Sequence, residues 1–357
     1  MNCSISKLNV ITFGVDRCSG KCNFCINSTT SFDSYGTGAT TIEGLKAEIN
    51  KIDELTFREA QWDYDTLEKR LLEIKPTHIT LWGGDPLTSF KCLQETYDFI
   101  KSVLPNVKFG FCTNGLALCL DDRVEWIIKN RIRFTLSHDG LGNSNRCGVF
   151  NPLEFENWKR VEKYCGMIEC THSNFNPSPL ANYNYFRKYT KVKMGINHVK
   201  KFCNEDKDDY VIQGKSLDIF ISDMREILRH KWCYNFYDKF IDSNRFDGKR
   251  NGCYKYQHDL SKRPVSIDTL GKDTQCFTYD SRLESKEQLR PEYCNNCKFK
   301  DRYECNQCNN SGYTHDECKF LKRYMEEVID WYHGMKWLNS WSVMEAIDAK
   351  SKCNTEN

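Results

Sequence analysis

Short apolar runs recur through the first two-thirds of the chain, separated by longer stretches in which apolar and polar residues alternate at helical spacing. The runs Leu8–Phe13, His78–Trp82, Val107–Cys112, Ile132–Ser137, Met167–Thr171 and Val192–Asn197 predict strands. Between them, Tyr64–Lys75, Phe90–Val103, Asp122–Lys129, Phe155–Tyr164 and Pro179–Tyr189 predict amphipathic helices. Strands alternating with helices in this way predict an α/β fold with a parallel sheet. The charged stretch Lys201–Tyr210 (KFCNEDKDDY) reads as a solvated linker, and a helix over Ser216–Trp232 leads into a cysteine-dense region beginning near Cys253. A last helix over Phe320–Met335 carries aromatic residues and is placed to pack back on the sheet.

Composition narrows the function classes. The 51 basic and 49 acidic residues leave a net charge of +2, which argues against a nucleic-acid or membrane-surface protein. The chain lacks an 18-residue apolar run and its polar start MNCSISKLNV lacks a signal-peptide core, so neither a membrane span nor export is expected. Twenty cysteines in a chain of 357 residues, several in metal-type spacings, fit a reducing cytoplasm better than a disulfide scaffold. Cys3, Cys92, Cys112, Cys119, Cys147, Cys165, Cys170, Cys203 and Cys353 fit no ligand pattern and read as buried thiols.

The candidate chemistry begins at Cys18, Cys22 and Cys25 in DRCSGKCNFCINS, just after the first strand. This C-x3-C-x2-C triplet supplies three thiolates for a four-iron cluster and leaves one iron open. Zinc ligation or three reduced core cysteines are the other readings of such a cluster of thiols. The spacing resembles that of the radical S-adenosylmethionine (radical SAM) enzymes. That resemblance implies an open, partial (β/α)6 barrel of the TIM type. It also implies a [4Fe-4S] cluster on the triplet that chelates S-adenosylmethionine and delivers an electron to its sulfonium. The resulting 5′-deoxyadenosyl radical would abstract a substrate hydrogen. Reactive groups of such barrels gather at the carboxyl ends of the strands, where the remaining motifs also fall.

Gly83-Gly84-Asp85, after the second strand, matches the Gly-Gly-Glu motif that holds the methionine amine of the cofactor in this superfamily, with aspartate in place of glutamate. An ordinary turn is the plainer reading. Phe24 matches the aromatic placed beside the adenine, or else fills the core. Thr113-Asn114-Gly115 ends the third strand in a turn signal to which no chemistry is assigned. Ser137-His138-Asp139-Gly140, with Arg146 after it, resembles the S-x-D-G segment of radical SAM enzymes that carry a SPASM extension. The resemblance implies that Ser137 contacts ribose or the methionine carboxylate and that Asp139 shapes the loop facing substrate, while Arg146 suits a carboxylate partner. Asn174 and Asn197, ending the fifth and sixth strands, stand where ribose contacts are expected. His138 and His172 read as satisfied, non-catalytic histidines.

Downstream lie Cys253, then Cys276 at the end of a G-x4-C element, then Cys294, Cys297, Cys305, Cys308 and Cys318, seven cysteines within 66 residues. Pro264–Gly271 predicts a hairpin delivering Cys276. Order and count resemble a small cysteine-rich SPASM domain, which implies two auxiliary [4Fe-4S] clusters. The central group here is C-x2-C-x7-C-x2-C rather than the usual C-x2-C-x5-C-x3-C. By order, Cys294, Cys297, Cys305 and Cys318 would hold the outer cluster and Cys253, Cys276 and Cys308 the inner one, with Cys233, substrate or nothing at its fourth site. Ribbon-type zinc ligation by the 294–308 cysteines is the alternative. The domain reading is residues 1–200 for the barrel, 201–252 for a linker with a bridging helix, 253–319 for the SPASM-like unit and 320–357 for a terminal helix and tail.

SPASM enzymes act mostly on peptides and proteins, so the resemblance implies a peptide or protein substrate that is crosslinked, thioether-bridged, epimerised or otherwise matured. A flavodoxin- or ferredoxin-type protein would supply electrons. Because the first strand comes almost at once, leader-peptide recognition is expected from a separate protein or the barrel itself. The formylglycine-forming members place an aspartate directly after the G-x4-C cysteine; here Phe277 stands there, and Asp280 is the candidate base in its stead. A radical SAM enzyme acting on a small molecule, and a non-catalytic metal-stabilised cysteine-rich scaffold, are the alternative readings.

Overall fold

The computed structural model describes residues 8–12, 17–20, 22, 24–25, 38–60, 62–199, 209–230, 266–267, 273–274, 297 and 315–334. Its framework is a sheet whose first six strands are parallel: β1 (Leu8–Thr12), β2 (His78–Trp82), β3 (Lys108–Thr113), β4 (Arg133–Ser137), β5 (Cys165–His172) and β6 (Met194–His198). They are ordered strictly by sequence, β6-β5-β4-β3-β2-β1. Every crossover therefore steps in the same direction, and right-handed crossovers then put all the helices on one face. The strand burial patterns agree. Ile79, Leu81, Phe109, Phe111, Phe134, Leu136 and Ile168 are buried toward the helices, and the alternate positions between them remain partly open. This is the α/β parallel sheet expected from the alternating pattern, in the open form that the resemblance implies.

Local chemistry sets the helix limits. The first helix, α1 (Ile42–Glu59), begins where Thr41 Oγ1 accepts from Gly44 N at 3.2 Å, with Glu43 in its first turn and Arg58 in its last. Leu45, Ile49, Ile52 and Thr56 make its buried face. This helix carries the same spacing as the others but is absent from the helices named above. Next, α2 (Tyr64–Ile74) is capped by Asp63, which accepts from Thr66 N at 2.9 Å. The layer continues with α3 (Phe90–Val103) and α4 (Asp121–Asn130). A four-residue turn, α5 (Ser144–Cys147), follows β4. The helix expected over Phe155–Tyr164 is shorter than its pattern: only α6 (Trp158–Val161) is helical, between single turns at Pro152–Glu154 and Glu162–Tyr164. Phe155 is extended there, and Asn157 Nδ2 donates across to Leu118 O (3.0 Å) and Asp121 Oδ1 (3.1 Å), drawing the chain onto the preceding unit. Ser178 caps α7 (Pro179–Arg187), whose first residue is the proline that this position tolerates.

Two later pieces close the architecture. The expected hairpin is present as β7 (Ser266–Ile267) and β8 (Asp273–Thr274), and β7 also pairs in parallel with β1, so it extends the barrel sheet. The bridging helix α8 (Gly214–His230) packs through Phe220 against Phe320 and Tyr324 of α9 (His315–Tyr324). The helix runs on through a π-helical turn over Met325–Asp330. Phe320 also packs on His198 at the end of β6, with ring centres 4.5 Å apart, so the terminal helix does return to the sheet.

Below the strands, a buried ion pair fastens α1 to α4. Arg123 Nη2 donates to Asp53 Oδ2 at 2.9 Å, both side chains being 5 % exposed, and the guanidinium lies 4.8 Å from the Phe90 ring centre. Asp53 Oδ1 also accepts from Lys91 N at 3.0 Å, which ties in α3. Removing the cation alone strands a carboxylate in the core. Arg123→Ala is therefore expected to lower the unfolding free energy by about 3–5 kcal/mol, measured by denaturant titration. Substituting both partners with apolar residues should recover part of that loss, less the orphaned Lys91 N–H.

Candidate active site at the carboxyl ends of the strands

The loop after β1 brings Cys18, Cys22 and Cys25 to the ends of β2 and β3. Cys25 N donates to Cys22 O at 3.1 Å, turning the loop so that its thiols share one neighbourhood. Cys18 Sγ accepts from Gly20 N at 3.3 Å and from Asn114 Nδ2 at 3.4 Å. Burial pushes the Cys18 thiol well above its ordinary range, and Asp85, Cys22 and Cys25 push it in the same direction. Cys22 is raised to about 12, mainly by burial; the Arg146 guanidinium opposes this and Cys25, Asp139 and Asp85 add to it. Thiolates at Cys18 and Cys22, which burial disfavours, call for a cationic centre beside them. An iron–sulfur cluster supplies one, and the N–H groups aimed at Cys18 Sγ are of the kind that stabilise cluster-bound sulfur. The donor set fits the cluster on this ground. Among the described residues, no three or more His, Cys, Asp or Glu side chains form a single-ion site.

Asp85 is the anchor beneath this loop. It is 2 % exposed, and its carboxylate oxygens accept from Leu87 N (3.0 Å), Thr88 N (3.4 Å), Thr113 Oγ1 (2.9 and 3.1 Å) and Asn114 N (3.0 Å). Burial raises its pKa and these donors oppose the rise. Its backbone N–H donates to Arg17 O at 3.0 Å. Asp85 thus ties β2 to β3 and both to the cysteine loop. Gly83, at the turn just before, has φ +155°, within the range that favours glycine.

Asp139 is the corresponding anchor on the other side. It is fully buried, meets Arg146 through two bonds (2.9 and 3.0 Å) and accepts from Thr171 N at 3.0 Å. Arg146 therefore has a carboxylate partner within the chain, and its guanidinium lies 5.6 Å from the Phe24 ring centre. Phe24 is itself buried, with Tyr210 on another side at 6.0 Å.

Ser137 pairs in register with Glu169, and Thr171 with Asn197, all four on the sheet face away from the helices. Asn197 Nδ2 donates to Glu169 Oε2 at 3.3 Å, and burial raises the Glu169 pKa against the pull of Arg146 and Asn197. Asn174 is held by its backbone, its N–H donating to Tyr210 O at 2.9 Å and its carbonyl accepting from Ser216 Oγ at 2.9 Å. Cys297 packs partly buried against the core and Cys318 lies on α9. Cys253, Cys276, Cys294, Cys305, Cys308, Asp280 and Cys233 lie outside the described residues, as do Lys201–Asp208 of the expected linker.

Sequence reasoning did not assign roles to Asn114, Thr113, Thr88 and Ser19, which bind the cysteine loop to the sheet, nor to Glu169. Ser19 Oγ and Thr88 Oγ1 share a bond of 2.7 Å, and Asn114 Nδ2 reaches Ser19 Oγ at 3.3 Å. The available signals were the polar Thr-Asn-Gly at a strand end and one acid at the open-face position of an otherwise neutral strand.

No protein-family model matches the chain, and no curated protein matches it. Solved structures do. "Native anSMEcpe with bound AdoMet and Cp18Cys peptide" superposes with a TM-score of 0.61 at 16 % identity, covering 92 % of this chain and 98 % of that one. A histidine-tagged form of anSMEcpe with bound AdoMet gives the same values. The chain has the fold of these AdoMet-bound proteins, which agrees with the radical SAM barrel implied by its cysteine loop. Among the described residues, no helix is long and apolar enough to cross a membrane.

The two histidines at the strand ends are satisfied. His138 Nδ1 accepts from Gly140 N (3.0 Å) while Nε2 donates to Asn151 Oδ1 (2.9 Å), and His172 Nδ1 donates to Asn197 O (3.0 Å). Burial lowers both pKa values from 6.5 to about 4. The unfolded chain then binds more protons than the folded one between those limits. Their contribution to stability is complete above about pH 6.5 and declines as pH falls toward 4, by up to about 1.4 kcal/mol per pH unit for each histidine. His138→Gln should make the stability–pH slope shallower between pH 6.5 and 4.5 than in the wild type, read by denaturant titration at each pH.

Proposed function

We propose that the chain is a radical SAM enzyme of the SPASM type that modifies a peptide or protein substrate. The observation that carries this reading is the convergence of three half-buried thiols on two buried carboxylate anchors at the strand ends, in a fold shared with an AdoMet-bound structure. Cys18, Cys22 and Cys25 would hold the cluster. A [4Fe-4S] cluster held there would supply the electron that splits the sulfonium C–S bond of S-adenosylmethionine into methionine and a 5′-deoxyadenosyl radical. The chain's own residues position and enclose. Asp85 holds the cysteine loop against β2 and β3 from below. Asp139 and Arg146 brace it from the β4 side, and Phe24 beneath Arg146 excludes water. Gly83, Gly84, Ser137, Asn174 and Asn197 line the strand ends where a nucleoside and an amino-acid moiety would lie.

The peptide substrate is supported by the cysteine order downstream, which resembles SPASM, and by the peptide bound in the structural neighbour. The same cysteine order supports two auxiliary clusters on Cys253, Cys276, Cys294, Cys297, Cys305, Cys308 and Cys318. A flavodoxin- or ferredoxin-type reductant and a separate leader-recognition protein complete the proposed partners, and a cytoplasmic setting suits the metal-type cysteine spacings.

The test is anaerobic iron and sulfide analysis with Mössbauer spectra, coupled to an assay for cleavage of S-adenosylmethionine to 5′-deoxyadenosine. The wild type should carry about twelve irons, and Cys18/Cys22/Cys25→Ala about eight, at four per cluster, with cleavage reduced to background. Four irons falling to none, with zinc present, would replace the auxiliary clusters with a zinc-supported unit. A reconstituted wild type without iron or cleavage would overturn the enzymatic reading.

A further inference from the structure

Asn114 follows β3 directly, and both ends of its side chain are committed. Its Oδ1 accepts from Leu116 N at 2.8 Å, which leaves Nδ2 facing the cysteine loop, where it donates to Cys18 Sγ at 3.4 Å and Ser19 Oγ at 3.3 Å. Its backbone N–H is held by Asp85 Oδ2 at 3.0 Å, and the residue is 5 % exposed. An independent constraint comes from the loop. A Cβ built on Gly20 would stand 3.0 Å from Asn114 Nδ2 and 3.2 Å from Arg146 O, so a side chain there would push the amide back by a few tenths of an ångström. The amide is thus fixed in orientation, dry, and aimed at one thiol of the triplet.

We propose that Asn114 is a positioning residue whose Nδ2–H sets the reduction potential of the cluster on Cys18, Cys22 and Cys25. The inference rests on the cluster reading above. One-electron reduction adds negative charge that spreads onto the cysteine sulfurs. A hydrogen bond to sulfur stabilises the reduced form more than the oxidised form and so raises the midpoint potential. Within the described residues Cys18 receives this donor besides the N–H of Gly20, which no side-chain substitution at 114 removes.

The test is an EPR-monitored dithionite titration of the anaerobic holoenzyme. The relevant cluster is identified as the one whose signal changes when S-adenosylmethionine is added. Asn114→Ala removes the donor. Asn114→Asp removes it too but keeps an acceptor for Leu116 N–H, which guards against simple loss of the turn. Both variants should retain the wild-type iron content and titrate at more negative potentials, the aspartate further than the alanine because it adds charge. Gly20→Ala, which crowds the amide away from the thiol, should shift the potential in the same direction. Unchanged potentials in loaded Asn114 variants would overturn the proposal while leaving the cluster reading intact. Loss of iron without a shift in the remaining signal would likewise overturn it, reducing Asn114 to a prop for the loop. A wild type with no such signal would overturn the cluster reading itself.

Discussion

The carboxylate of Asp85 is the interaction on which the rest of the site depends. A carboxylate at 2 % exposure is costly unless its oxygens are occupied, and here they accept two backbone N–H groups from its own turn and two donors from the end of β3. Those donors have second contacts. Thr88 bonds Ser19, and Asn114 bonds both Ser19 and Cys18. Satisfying one buried charge therefore ties the cysteine loop to the ends of β2 and β3.

Asp139 solves the same problem differently. It takes a bidentate guanidinium from Arg146, a stronger and more directional partner than a neutral donor. The two anchors leave the thiols in an uneven field. Asp85 and Asp139 both oppose a thiolate at Cys22, while Arg146 favours one. Loop position and electrostatics thus come from the same few residues, which couples the packing of β2, β3 and β4 to the chemistry above them.

The sheet supplies the wider geometry. Sequential strand order leaves one face for helices and the other partly open, where alternate residues of β2 to β5 lie. Thr80, Cys112, Thr135, Ser137, Glu169 and Asn197 occupy that face, while the apolar alternates fill the core.

Much of this was legible along the chain. Period and length placed the six barrel strands, because each strand must be apolar toward the helices whatever it binds. The spacing of Cys18, Cys22 and Cys25 put three thiols in one short loop, which the structure sets at the ends of β2 and β3. The Phe155–Tyr164 helix was overstated because the amide of Asn157 bonds to the preceding unit, a long-range contact that periodicity does not contain. Local pattern also predicted a hairpin from Pro264–Gly271, but not that β7 pairs with β1, since pairing joins segments more than 250 residues apart. Asn114 illustrates the same division. The sequence alone determined that a turn follows β3. Only the tertiary structure decided that the amide in that turn meets Cys18, 96 residues away, because Asp85 holds its backbone and Leu116 N–H takes its Oδ1.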